Sequence, residues 1–184
     1  MASTRLAVAA VTLALSGCAA PIKLTASWFN PDVTPGNKFK QISVIAVTKD
    51  PANREAVENA MAELVPAATQ SYKLIPAEDL ADGGKVAERL KGEGYDALVV
   101  MSVVGYEETA KPQEAAGSTA SKVQYTPQTA TGAALRVETQ IFSLADDRLV
   151  WSGLTSSFDS TTLKKTVKDI AAVVVEDLKR RQVL

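Results

Sequence analysis

The sequence predicts an α/β fold: a single domain with a βαβαβ half, then a β-hairpin and a C-terminal helix, on one mixed central sheet. Three patterns predict it. Between residues 42 and 104, short β-branched and apolar runs alternate with segments of helical spacing. Between 135 and 153 the pattern changes to apolar/polar alternation around a polar turn. From Leu163 onward an apolar stripe recurs every three or four residues.

Taken in order, Leu24–Phe29 has the composition of a strand and is followed by turn signals at Asn30-Pro31-Asp32 and Pro35-Gly36-Asn37. The adjacent aromatics Trp28 and Phe29 either close one end of the core or sit at a membrane interface. Ile42–Val47 is a β-branched run typical of a buried strand. Asp50-Pro51 then supplies a capping carboxylate and a residue that lacks the N–H a first helical turn cannot use. Val57, Ala60, Met61 and Leu64 recur at helical spacing and predict a helix over about 51–65. Tyr72–Ile75 reads as a second short strand. Val86, Ala87 and Leu90 mark a second helix, which Gly92 and Gly94 can end. Ala97–Val104 is almost wholly apolar, as in a strand covered on both faces. Short connections favour parallel pairing through this half.

Residues 105–132 differ in character. They are rich in Ala, Thr, Ser, Gln and Glu, contain Pro112 and Pro127, and show no sustained period. A connection this long is either a solvated loop or an element that contacts a partner. Tyr106 and Tyr125 flank it and are candidate partner contacts. Beyond it, Leu135, Val137, Thr139 and Ile141 share one strand face, and Arg136, Glu138 and Gln140 share the other, which is predicted to be wet. Ala145–Arg148 is a turn, and Leu149–Gly153 begins the returning strand. Leu163, Val167, Ile170, Val174 and Leu178 stripe the last helix, and Lys179-Arg180-Arg181 complement its C-terminal dipole.

The N-terminus carries a different signal. One positive charge, Arg5, precedes the apolar run Leu6–Leu15, broken only by Thr12. The run is too short to span a bilayer, which needs about 20 residues, but suits the apolar region of a signal peptide. Leu15-Ser16-Gly17-Cys18 follows and resembles a bacterial lipobox. Small Ser16 and Gly17 let the backbone lie flat in a peptidase cleft, and the Cys18 thiol is the nucleophile that accepts a diacylglyceryl group. The chain's single cysteine occupies the one position the motif requires. The resemblance implies cleavage of residues 1–17 and acylation of Cys18. It also implies a lipidated N-terminus and tether over 18–26, and one α/β domain over 27–184. Ala19 after the cysteine, rather than Asp, implies the outer membrane, with the domain facing the periplasm.

The whole layout resembles a family of small bacterial outer-membrane lipoproteins of unknown function. The resemblance rests on the lipobox, the αβ domain and the hairpin motif Asp146-Asp147-Arg148-Leu149-Val150-Trp151-Ser152-Gly153. Similar layouts occur in the N-terminal domain of the Tol-system propeller protein, in curli-secretion lipoproteins and in outer-membrane activators of peptidoglycan synthases. Trp151 and Gly153 are the structural residues of the motif, and no catalytic residue comes with it. Ala19–Lys23 spans at most about 18 Å when stretched, so this chain lacks the long stalk of the synthase activators. The 105–132 insertion is too polar and irregular to supply the membrane strands of the curli-secretion proteins.

Composition narrows the chemistry further. The chain has no histidine, one cysteine and a formal charge of −1. Imidazole-dependent triads, disulfides and Cys/His metal sites are thereby excluded. No basic stripe suits nucleic acid. Glu107-Glu108 and Asp146-Asp147 are adjacent pairs, without the alternate spacing of calcium loops. Gly83-Gly84-Lys85 lacks the earlier glycine and the Ser/Thr of a phosphate loop. No Gly-x-Ser-x-Gly and no Ser-x-x-Lys occurs. No cofactor and no metal are expected. The expectation is a non-catalytic envelope accessory protein, held at the membrane by acylated Cys18 and binding another envelope protein. The alternatives are a periplasmic enzyme acting on cell wall or lipid, and a small-ligand carrier.

Overall fold

The computed structural model describes residues 22–34, 36, 38–104, 119–122, 135–157 and 163–184. Among the described residues six strands form one sheet: β1 (Lys23–Phe29), β2 (Ile42–Val47), β3 (Ala68–Gln70), β4 (Ala97–Val103), β5 (Leu135–Ser143) and β6 (Arg148–Ser157). Their order is β1-β6-β5-β4-β2-β3. The β2–β3 and β2–β4 pairs are parallel, and β4–β5, β5–β6 and β6–β1 are antiparallel, so the sheet is mixed. Three helices pack on it: α1 (Pro51–Leu64), α2 (Gly83–Gly92) and α3 (Leu163–Arg180). This is an α/β domain with the βαβαβ half, the hairpin and the closing helix of the sequence reading.

The helices begin and end for local reasons. Asp50 caps α1 by accepting from the Ala52 N–H at 2.9 Å, with Pro51 at the first helical position. Asp82 caps α2 through Gly84 and Lys85. Past α2, Gly94 takes φ +87°, a left-handed value open to glycine at little steric cost. There its N–H donates to Lys91 O, and the Tyr95 N–H to Leu90 O.

Two apolar layers flank the sheet. Ile42, Val44, Val99, Ile141 and Trp151 meet Met61 of α1 and Ile170, Val174 and Leu178 of α3. Ile45, Leu98, Val100, Phe142 and Leu149 meet Val86, Ala87 and Leu90 of α2. Each large side chain withdrawn from water in these layers contributes about 1.5–3 kcal/mol. Trp28 joins the α2 layer and Phe29 the opposite one, so the aromatic pair divides between the two faces. No described helix is long and apolar enough to cross a membrane.

Two expectations are corrected. Tyr72–Ile75 is not a strand. The edge strand is Ala68–Gln70, and Ser71–Lys73 winds into a 3₁₀ turn. A side chain causes this: Glu58 takes the Tyr72 N–H and the Ser71 hydroxyl, and the Ile75 N–H turns back to Ser71 O. Ile75 is apolar because it is buried against α2, not because it alternates along a strand. Secondly, the polar face of β5 is not uniformly wet: Gln140 is buried, and Arg136, Glu138 and Gln140 all have polar partners.

Candidate functional site

Of the residues singled out in the sequence, Leu15, Ser16, Gly17, Cys18, Tyr106 and Tyr125 lie outside the described residues, as do Glu107 and Glu108. Trp151 and Gly153 are in place on β6. Both point to the face covered by α3, and the indole of Trp151 is fully buried. Its Nε1–H donates to Asp177 Oδ2 at 3.1 Å. The same oxygen accepts from Arg181 Nε at 2.7 Å, and Arg181 Nη2 donates to Ser27 Oγ at 2.9 Å. One buried carboxylate of α3 thus ties the hairpin motif to the edge strand β1. Ion pairing and a donor in each neighbour meet the cost of burying it.

A second buried cluster joins α1 to the sheet. Glu58 is fully buried. Its Oε1 accepts from the Ala46 N–H at 3.1 Å, Arg54 Nε at 2.9 Å and Ser71 Oγ at 2.8 Å, and its Oε2 accepts from the Tyr72 N–H at 2.9 Å. Arg54 Nη2 also donates to Ser71 Oγ and to Ile75 O. Three of the four donors fall on Oε1 and one on Oε2, and the carboxylate is closed off from solvent by its burial. The cluster is a clamp between α1, β2 and the 3₁₀ turn.

The acidic turn has a structural role of its own. Asp147 sits at φ +49° and accepts from the Ser121 N–H and hydroxyl, fastening the short 3₁₀ segment Ala120–Lys122 to the hairpin. Asp146 pairs with Arg148 at 3.2 Å. Gly83-Gly84-Lys85 does open a helix, but the amides an anion would use are taken by Asp82. Among the described residues no group of three potential metal-ligating side chains converges.

Concavities among the described residues include three that bear on the elements above. A cleft of 140 Å³ beside the hairpin turn is walled by Phe29, Val33, Phe39, Asp32, Asp146 and Arg148. A wider groove of 830 Å³ runs along α1 past Glu55, Asn59, Glu63 and Lys168. A third, of 70 Å³, lies where β2 and β4 end, against Val57 and Ile170, and is almost wholly apolar. In the first of them the Ser143 hydroxyl donates to Asp146 Oδ2 at 3.3 Å.

No protein-family model and no curated protein matches this sequence. Solved structures do resemble it. A point variant of the PelC dodecamer from Paraburkholderia phytofirmans is 15% identical with a TM-score of 0.49, over 89% of this chain and 98% of that one. The PelC dodecamer in another crystal form is 12% identical with a TM-score of 0.45, over 89% and 97%. Lipoprotein GNA1162 from Neisseria meningitidis is 13% identical with a TM-score of 0.37, over 76% and 96%. None of these assigns a family.

Sequence reasoning missed both buried carboxylates. Their signal was present, since Arg54/Glu58 and Asp177/Arg181 are each spaced four apart on a helix. The same spacing also marks exposed pairs such as Arg89/Glu93.

Proposed function

We propose that this chain is a lipid-anchored accessory protein of the bacterial cell envelope, non-catalytic, which binds another envelope protein and helps position or assemble it. The observation that carries the reading is Leu15-Ser16-Gly17-Cys18, which begins at the last residue of the Leu6–Leu15 run and contains the chain's only cysteine. Acylated Cys18 holds the domain at the outer membrane, facing the periplasm. Three acyl chains on one residue exceed the two membrane signals that stable anchoring requires. The state of the buried polar groups supports a non-catalytic role: Glu58 and Asp177 are engaged by neighbours from their own chain.

The anchor is tested by membrane fractionation with radiolabelled palmitate. The natural chain is expected in the membrane fraction and labelled; Cys18→Ala is expected unlabelled and released. A Cys18→Ala protein that stays in the membrane sinks the reading. The partner is tested by cross-linked pull-down with and without residues 107–131. Retention of every partner after that deletion removes the insertion from the contact.

A further inference from the structure

The cleft beside the hairpin turn is bordered by a loop that one buried side chain holds in place. Asn30 directly follows β1 and is 2% exposed. Its N–H donates to Val150 O at 2.9 Å and its Nδ2 to Leu149 O at 2.8 Å, and its Oδ1 accepts from the Asp32 N–H at 2.9 Å. Further along, the Gly36 N–H donates to Gln182 O, beyond the end of α3, at 3.3 Å. A loop tied to β6 on one side and to the chain after α3 on the other does not close over the space it borders. The cleft is therefore formed before any occupant arrives, which lowers the ordering cost of binding.

Its lining is part apolar and part polar. Phe29, Val33 and Phe39 pack against the α1/α3 layer yet stay only half-buried. Among the polar groups, Arg148 pairs with Asp146 through Nη2 at 3.2 Å, which leaves donors of a five-donor guanidinium that is 38% exposed. Asp32 is exposed, and among the described residues no donor and no cation engages its carboxylate. The volume of 140 Å³ is close to that of a cavity of about 150 Å³ that takes one benzene molecule. A small anion would meet Asp32 and Asp146 there, and a small cation would meet Arg148. An acyl chain would leave both polar sides without a partner. A neutral peptide meets no like charge, and beside each of its side chains it carries one N–H and one C=O.

We propose that this cleft receives one apolar residue of a partner polypeptide. The side chain covers Phe29, Val33 and Phe39, an adjacent carbonyl accepts from the Arg148 guanidinium, and an adjacent N–H donates to Asp32. The position suits an anchored domain: β1 starts at Lys23, five residues after Cys18, and ends at Phe29, so the cleft lies one strand length, about 20 Å, from the tether. The proposal names a contact surface for the accessory role above and rests on that reading for the partner.

The test uses the full lipidated protein in nanodiscs, with methyl-labelled valine read by NMR. The probes are N-acetyl-leucine methylamide and N-acetyl-glycine methylamide, which differ only in the side chain. The leucine probe is expected to shift the methyl signals of Val33, Val150 and Val183, which line the cleft, and to leave that of Val86, against α2, in place. The glycine probe should bind at least about tenfold more weakly, the loss expected for one buried apolar side chain. Arg148→Met and Asp32→Ala should each weaken the leucine probe roughly three- to tenfold, as for one lost hydrogen bond, with the other methyl signals unchanged. Equal binding of the two probes, shifts centred on other valines, or no saturable shift at the solubility limit overturns the proposal. So does a cross-linked partner kept in full by a double variant, Arg148→Met with Asp32→Ala, that has lost the probe; the accessory reading then stands. A natural protein that binds the leucine probe but cross-links to no partner overturns the accessory reading and leaves a peptide-binding cleft.

Discussion

The indole of Trp151 lies across the backbone of Gly153, so that a Cβ at position 153 would stand 2.2 Å from Trp151 Cη2 and 2.5 Å from Cζ2. Residues two apart on a strand face the same way, and here the larger occupies the space of the smaller. The glycine of the hairpin motif is therefore required by volume, not by its dihedral angles. Gly153→Ala must displace a ring that is also hydrogen-bonded to Asp177. The expected loss is about 3 kcal/mol, the upper range for overpacking, read from urea denaturation. The near-ultraviolet circular dichroism of the tryptophan should change with it. A variant as stable as the natural chain would mean that the ring has another place to go.

Asp177 serves Trp151 and Arg181 at once. Asp177→Ala strands a buried indole N–H and frees Arg181 from its partner, with an expected cost of about 2–3 kcal/mol. Arg181→Ala should cost less, since that side chain is partly exposed. Combined, the two should be less than additive by at least about 0.5 kcal/mol. Strict additivity in a double-mutant cycle would refute the shared carboxylate.

Glu58→Ala leaves Arg54 buried without its carboxylate, and removes the acceptor of the Ala46 and Tyr72 amides. The expected destabilisation is about 3–5 kcal/mol. Replacing both partners together, by Arg54→Met with Glu58→Leu, should recover much of that loss because no lone charge stays behind. Equal losses in the single and double variants would show that the amide contacts, rather than the ion pair, dominate.

Asp96 holds the entry to β2: its two carboxylate oxygens accept from the Lys40 and Gln41 amides at 2.8 and 3.0 Å. Asp96→Ala is expected to cost about 1–2 kcal/mol. Hydrogen exchange at residue 40 should quicken, while α3 amides keep their natural protection relative to global unfolding. Unchanged exchange at residue 40 would show that these contacts are not kept in solution.

The parts of this fold legible in the sequence are those in which local chemistry and tertiary burial agree. Asp50-Pro51 starts α1 because a side-chain acceptor and a missing N–H satisfy the same turn. The α3 stripe from Val167 to Leu178 is buried as its spacing demands. The segment around Tyr72 was illegible because Glu58, 14 residues earlier, takes its backbone amide. A distant carboxylate then decides a local conformation that propensity assigns to a strand. Trp151 was legible as a core residue, but its acceptor was not: Asp177 lies 26 residues further on and reads as one more charge on a helix. Leu24–Phe29 was legible as a strand, and the structure extends it by one residue to Lys23.

Among the described strands, the first pairs only with the last. Thr25, on β1, donates its hydroxyl to Leu154 O across 129 residues of sequence, and among the described residues no strand other than β6 pairs with β1. Such a contact cannot form during synthesis until nearly the whole polypeptide exists. For a chain that leaves the cytoplasm N-terminus first, β1 must wait unpaired while the other five strands arrive. The segment nearest Cys18 is therefore the last to be closed into the sheet. Under the anchor proposed above, an enzyme that modifies Cys18 would meet an unpaired β1 instead of a finished domain, and its window would close when β6 docks.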